Sequence, residues 1–244
     1  MADLDRLMTT IAPTSTLTLT GAQWRALASH VATERLRYAM EYAAWFPATE
    51  PSRAWLGSAG VVCATDGKRA LYLPAEHAPA GVMLAVLPKV AKAKRALGDT
   101  YPSANLPDGA EGRHFPPALD VIPARGSSPL EVPTDSLRAL FAPFATDPDA
   151  DTVRCWFGLG IRLAARAPLT DVDVSATWGN TRQDDAEEGR DPIGLGAAYV
   201  LAVCDAADLL GVSLVTVQAK DHRSAVCFDL GGKGLAIVMP RYLS

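Results

Sequence analysis

Two short stretches, "WRAL" at residues 24–27 and "LRAL" at residues 137–140, share three of four residues and lie 113 positions apart (137 − 24). A second pair falls on the same spacing: "VLPKVAKAKRALG" and "YVLAVCDAADLLG" close at Leu97 and Leu210, again 113 apart (210 − 97). Within that pair Leu87 aligns with Val200 and Val90 with Val203. A third, looser echo sets "DVIP", ending at Pro123, against "IVMP", ending at Pro240, 117 apart (240 − 123), as a few inserted loop residues give. A repeat at fixed period constrains the fold strongly, because each copy must be one unit of the same architecture. We read the chain as two copies of one domain, residues 1–124 and 125–244, joined through "ARGSSPLE". Chance likeness between Ala-rich helices is the competing reading.

Each half carries the same succession of patterns. "STLTLT" alternates with period two and leads into a helix whose apolar residues Trp24, Leu27, Ala28 and Val31 recur at i, i+3, i+4 and i+7. "RLRYAMEYAAWF" and "GSAGVVCATDGKRALYLP" read as strands, the latter folded at "TDGK", where Asp-Gly supplies the positive φ of a tight turn. A second helix is expected over residues 87–97, with Pro88 in its first turn and Gly98 as its C-terminal cap. The second half repeats this with "PLEVP", then a helix capped by Thr134 or Asp135 and stopped near Pro143. Strands in "TVRCWFGLGIRLAARA" and "DVDVSATWG", a helix over residues 196–210, and strands in "SLVTVQAK", "SAVCFDL" and "GLAIVMP" follow. Two helices per half cannot cover both faces of so many strands. The expected class is therefore α+β, with the helices of each half on one face of largely antiparallel sheets.

A chain of 244 residues at 49% hydrophobic content has ample material for two cores. No apolar run reaches membrane-spanning length, and "MADLDRLMTT" carries acids where a signal peptide carries bases, so a cytoplasmic protein is expected. Cys63, Cys155, Cys204 and Cys227 are scattered in apolar patterns with no C-x-x-C pair, which predicts reduced, packed thiols. His30, His77, His114 and His222 are far apart and lack metal-site neighbours, and each is read as packed or solvent-facing. "GLGIRLAARA" lacks the third glycine of a dinucleotide loop, and "QDDAEEGRD" reads as a solvated loop. The reading is a non-enzyme with no metal and no cofactor.

The net charge of −4 argues against a general nucleic-acid binder, but the distribution is uneven. Lys89, Lys92 and Arg95 recur at i, i+3 and i+6 on one helix face, with Lys94 at its border. Arg25 lies off the apolar stripe of the first helix, Arg35 follows at its end, and Arg138 occupies the repeat position of Arg25. Such a face can track phosphates without reading sequence, and equally can be an ordinary solvated surface. The last helix has no base and carries Asp205 and Asp208.

"VVCATDGKRALYLP", the Pro-Lys helix, "RHFPPALDVIP", "LGAAYVLAVCDAADLLG" and "AIVMPRYLS" resemble, in order, the signature segments of the bacterial DNA polymerase III β subunit, the sliding clamp. The resemblance spans essentially the whole chain and matches the last two of that family's three domains. It implies a DNA clamp fold, with sheets outside and helices lining a hole around double-stranded DNA, and partners (a DNA polymerase and a clamp loader) held by short linear motifs. Because the three-domain family chain closes as a dimer, a two-domain chain reaches the same domain count as a homotrimer. The resemblance assigns phosphate contacts to Arg25, Arg35, Lys89, Lys92, Arg95 and Arg138. It builds a peptide pocket from Thr65, Gly67, Lys68, Arg69, Ala70, Pro116, Val121, Ile237, Val238, Met239, Pro240 and Leu243. The chain departs from the family at Ala70, where Leu is usual, at "PPAL", at Tyr242 in place of a base, and in its base-free last helix. A clamp-fold protein-interaction module of phage or mobile-element origin, which does not encircle DNA, is the alternative.

Overall fold

The computed structural model describes residues 18–31, 42–75, 83–86, 100–102, 118–125, 129–145, 152–166, 173–179, 191–241 and 243. In the first half β1 (Thr18–Thr20) runs directly into α1 (Gly21–Val31). The junction is a capping box: the Thr20 amide donates to Gln23 Oε1 at 2.8 Å and the Gln23 amide to Thr20 Oγ1 at 3.2 Å. There follow β2 (Tyr42–Pro47), α2 (Glu50–Leu56), β3 (Gly60–Thr65), β4 (Arg69–Ala75), β5 (Met83–Val86) and β6 (Thr100–Pro102). The second half comprises β7 (Leu130–Pro133), α3 (Thr134–Phe141), β8 (Thr152–Phe157), β9 (Gly160–Arg166), β10 (Asp173–Gly179) and β11 (Ile193–Gly196). It closes with α4 (Ala197–Leu209), β12 (Leu214–Gln218), β13 (Val226–Asp229) and β14 (Leu235–Val238).

Strand order repeats between the halves. The first half contributes β5-β2-β3-β4 and the second β11-β8-β9-β10; β1 pairs with β6 as β7 pairs with β12, all antiparallel. The halves are joined by β14 against β4, in the register Leu235↔Tyr72, Ala236↔Leu71, Ile237↔Ala70 and Val238↔Arg69. That pairing creates one eight-stranded sheet, β5-β2-β3-β4-β14-β13-β12-β7.

Both faces of this sheet are covered. On one face Trp24, Leu27, Val62, Leu71, Val132, Leu137, Phe141, Val203 and Phe228 belong to a core that draws on both halves. There α4 packs against both α1 and α3, so the three helices form a layer with α4 in the middle. The Trp24 ring meets Trp45 edge-on at 5.8 Å. On the other face Trp55, Cys63, Tyr72, Ile122, Cys227 and Ile237 form a second core beneath α2 and the linker. Coverage on two sides explains why β3 and β14 are buried at every position and read as continuous apolar runs.

The linker is pinned on that outer face. Trp55 Nε1–H donates to Pro123 O at 2.9 Å, and the Arg125 guanidinium lies 5.4 Å over the Trp55 ring while bonding Asp229 Oδ2 at 3.0 Å.

Several expectations are corrected. "DVIP" and "IVMP" are not equivalent, because Ala118–Val121 is a 3-10 turn whereas Leu235–Val238 is a sheet strand. Helix α2 was not anticipated; the helix expected over residues 87–97 lies outside the described residues. Neither Thr134 nor Asp135 caps α3: the Thr134 hydroxyl donates to Val212 O at 2.9 Å, tying the helix start to the turn after α4. The stop near Pro143 holds, as a 3-10 turn over Ala142–Phe144. All four cysteines are free and buried, and burial pushes the Cys204 and Cys227 thiols up to about 12. Among the described residues no helix is long and apolar enough to cross a membrane.

His30 is wholly buried between α1 and α4, with Nδ1 3.4 Å from Ala202 O, which can only accept. Burial, and then the Arg69 charge, lower its pKa from 6.5 to about 3. Between those values the unfolded chain binds a proton that the folded chain refuses. This part of the stability is therefore full above pH 6.5 and falls by about 1.4 kcal/mol per unit as the pH drops toward 3. Replacing His30→Gln should remove this component. Urea titrations from pH 7 to pH 4 should show the wild type losing stability faster than the variant, and parallel curves would contradict a neutral buried His30.

Candidate functional site

The β3–β4 hairpin turn is a closed unit built by its own side chains. Asp66 Oδ1 accepts from the Lys68 and Arg69 amides at 2.9 and 3.0 Å, and Thr65 Oγ1 accepts from the Gly67 amide while donating to Arg69 O at 2.7 Å. Gly67 sits at φ +83, the left-handed conformation that the Asp-Gly pair predicted. Asp66 Oδ2 also takes Arg69 Nε–H at 3.0 Å, with side-chain exposures of 0% and 2%. Burial draws the Arg69 guanidinium below its ordinary value, against the pull of Asp66.

This geometry sorts the anticipated pocket residues. Thr65, Arg69, Ala70, Ile237 and Val238 are buried, so they back the site rather than line an open wall. The β4–β14 register turns Val238 into the core under the helices and Ala70 and Ile237 into the core on the opposite face, the turn's own bonds hold Thr65 and Arg69, and the Met239 amide extends the pairing by donating to Lys68 O at 2.8 Å. Gly67, Lys68 and Val121 are exposed; Met239, Pro240 and Leu243 are half-buried; Pro116 lies outside the described residues.

The open space lies beside them, in a cleft of ≈ 740 Å³ lined by Asp191, Pro192, His222, Arg223, Met239, Pro240, Arg241 and Leu243. Three of these were anticipated. The other five come from the chain just before β11, the β12–β13 turn and the tail, whose sequences carry turn chemistry but no sign of a shared cleft. Asp221 Oδ1 shapes that turn by accepting from the Arg223 and Ser224 amides at 2.9 and 2.7 Å, and these bonds hold its carboxyl below the usual range. On the rim Arg223 Nε–H donates to His222 Nε2 at 3.2 Å, and His222 Nδ1 stands 3.6 Å from Asp191 Oδ2.

The tail reaches the cleft along a path cut by two glycines of β11. The Arg241 amide donates to Gly194 O at 2.8 Å, and a Cβ on Gly194 would lie 2.4 Å from Arg241 O. A Cβ on Gly196 would meet Tyr199 Cδ2 at 3.0 Å and Arg241 Cζ at 3.1 Å. In the space so left, Arg241 stacks 4.8 Å from the Tyr199 ring centroid and bonds Thr152 Oγ1 at 3.0 Å. Arg69 approaches the same ring at 5.1 Å. Pro192, Met239, Pro240 and Leu243 thus give the cleft an apolar lining with a charged rim, a surface suited to an extended peptide.

The helix face is the second site. Arg25 is half-buried on α1, and Arg35, Lys89, Lys92 and Arg95 lie outside the described residues. Arg138 does not stand on an acid-free face: Nη1 bonds Asp205 Oδ1 at 2.7 Å and Nη2 bonds Asp208 Oδ2 at 2.5 Å. The Asp205 hydrogen bond raises its pKa further. The i, i+3 spacing of the two aspartates puts both on one face of α4, but their meeting with a residue on α3 is a tertiary fact.

Among the described residues no group of three His, Cys, Asp or Glu side chains is placed to hold a metal ion.

No family model and no curated protein sequence matches the chain. Solved structures do. A Pseudomonas aeruginosa DNA polymerase sliding clamp with ligand superposes at TM-score 0.63 and 16% identity, over 93% of this chain and 66% of that one. The Helicobacter pylori beta clamp bound to a DNA ligase peptide gives 0.63 and 14% over the same shares. The Caulobacter crescentus beta sliding clamp gives 0.63 and 17%, over 94% of this chain and 65% of that one. The chain therefore spans just under two thirds of the length of these clamps. Over nearly all of its own length it has the fold of the bacterial DNA polymerase III β sliding clamps.

Proposed function

We propose that the chain is a sliding-clamp subunit, built of two clamp domains over residues 1–124 and 125–244, that encircles duplex DNA as a ring of identical copies. It works in the cytoplasm as a processivity factor and performs no catalysis. The observation that carries this reading is the single layer of α1, α4 and α3 backed by a sheet that runs unbroken through both halves. In a closed ring such layers face the hole. Arg25, Arg35, Lys89, Lys92 and Arg95 would meet phosphates through charge alone, giving a hold that weakens steeply with salt and lets the ring slide.

The strand β10 supports the ring reading. Within the described residues it pairs only with β9, whereas β4, its counterpart in the repeated order, is also paired by β14. Paired in the same way, β10 would take a strand from the next copy, and head-to-tail contacts of this heterologous kind can close into rings. Three copies are the geometric expectation. The cleft beside Met239 and Pro240 would then hold a short linear motif of a DNA polymerase or clamp loader. Burying one Leu or Phe side chain contributes about 1.5–3 kcal/mol before ordering costs, so the contact is weak and exchangeable. Tethering acts by raising the local concentration of the enzyme at its template.

A second reading, a clamp-fold interaction module that does not circle DNA, is favoured by one observation, the neutralisation of Arg138 by Asp205 and Asp208.

Light scattering at two protein concentrations, combined with retention on nicked circular DNA, separates the two. The clamp reading expects a trimer mass and retention that is lost on linearisation, with Lys89→Glu/Arg95→Glu abolishing retention at unchanged mass. A monomer at both concentrations would remove the ring. For the cleft, Met239→Asp with Leu243→Asp should weaken binding of a fluorescent peptide carrying a Leu-Phe pair by tenfold or more; equal binding would place the peptide elsewhere.

A further inference from the structure

The helix layer contains an ion-pair arrangement that the clamp reading does not by itself require. Arg138 on α3 is forked between two separate carboxylates of α4, one on each η nitrogen, at 2.7 and 2.5 Å. Ion pairs on a solvated surface usually form loosely and singly, so one guanidinium held twice is a specific arrangement. The exposures are also in an unusual order. Asp205 and Asp208 are 57% and 55% exposed, and Arg138 only 33%. An anion approaching this face therefore meets carboxylate before it meets guanidinium.

The neighbouring charges reinforce that order. Asp135 lies exposed in the first turn of α3. On the described part of α1 the one formally charged residue is the half-buried Arg25. No base lies on α4. Across the described helix layer, three carboxylates thus stand against two guanidiniums, one of which is already held by two of the three. Phosphate approaching Arg138 meets a guanidinium already partnered by two more exposed carboxylates, which satisfy one donor on each η nitrogen and repel a further anion.

We propose that Asp205 and Asp208 are an intramolecular mimic of backbone phosphate that holds Arg138 off duplex DNA, so that the second half's helix face makes no standing phosphate contact. This rests on the clamp reading and specifies how the grip is distributed: the first half bears the charge contacts, and the second half presents a face that duplex slides past. The carboxylates act as an autoinhibitory contact, and their removal should expose a phosphate site.

The test uses the full chain and a 30-base-pair duplex, with affinity measured by fluorescence anisotropy across a salt series. Four proteins are compared: wild type, Asp205→Asn/Asp208→Asn, Arg138→Ala, and the triple variant carrying all three changes. The Asn replacements preserve shape at exposed positions, and circular dichroism confirms that each variant is folded. The proposal expects Arg138→Ala to bind as wild type. It expects the double Asn variant to bind several-fold tighter, with a log K against log salt slope steeper by about 0.9, the value of one added phosphate contact. The triple variant should return to the wild-type slope. An unchanged slope in the double variant, or a gain that persists in the triple variant as a bulk charge effect, overturns this proposal while leaving DNA binding by the wild type in place. Absence of binding by all four overturns this proposal, while the clamp reading is decided separately by retention on nicked circular DNA.

Discussion

Four residue pairs between β4 and β14 hold the two halves in one sheet, and the rest of the architecture depends on them. Both strands are apolar on both faces: Leu71 and Ala236 go to the core under the helix layer, Tyr72 and Ile237 to the core under α2 and the linker. Separated, each would become an edge with unpaired backbone groups and two greasy faces, which is a template for aggregation. The pairing therefore sets where the helices lie relative to one another, since α1 belongs to one half and α3 and α4 to the other. It also sets where the tail emerges, because Met239 continues directly from β14 and bonds to the hairpin turn at Lys68.

Charge is used in this fold mainly to fix geometry. Arg69 with Asp66 and Arg125 with Asp229 each lie at a seam, one at the turn that meets the tail and one where the linker crosses the outer core. Burying the first pair is costly in solvation, and the cost is offset because the Asp66 carboxylate accepts two further backbone donors. Such pairs contribute position more than stability. The same logic extends to Arg138, whose two carboxylates tie α3 to α4 and at the same time remove a base from the face where a clamp would be expected to display one.

How much of this was legible in the sequence depended on whether the signal was local. The hairpin at Asp66-Gly67, the apolar stripe of α1 through Trp24, Leu27 and Ala28 and the span of α4 follow from turn chemistry and helical period, and all three stand in the structure where the pattern put them. The capping box of α1 was equally local, since Thr20 and Gln23 are the required residues at the required spacing, but it was not read. Helix α2 is seven residues long, too short for periodicity to register. The β4–β14 junction pairs two continuous apolar runs, and such runs carry no alternation from which a register can be taken. The "DVIP" and "IVMP" echo misled for a related reason: one begins in the 3-10 turn Ala118–Val121 and the other in the strand Leu235–Val238, according to what lies beside them. The cleft was half legible, because Met239, Pro240 and Leu243 sit together in the tail, while Asp191, His222 and Arg223 arrive from loops whose meeting depends on the whole sheet.

Tyr199 explains why the cleft and the junction belong to one mechanical unit. Its ring, in the first turn of α4, receives Arg69 from the first half's hairpin and Arg241 from the tail. Gly194 and Gly196 leave no room for side chains where the tail crosses β11, so the tail follows the course allowed by that strand and not by its own propensity. The cleft wall formed by Met239, Pro240 and Leu243 is consequently supported from behind by the contact that joins the two halves. Arg241, which lines the cleft, and Arg69, in the hairpin of the first half, thus meet on one ring. The cleft and the inter-half seam share a single aromatic ring, so the side chains that shape one are positioned by the side chains that shape the other.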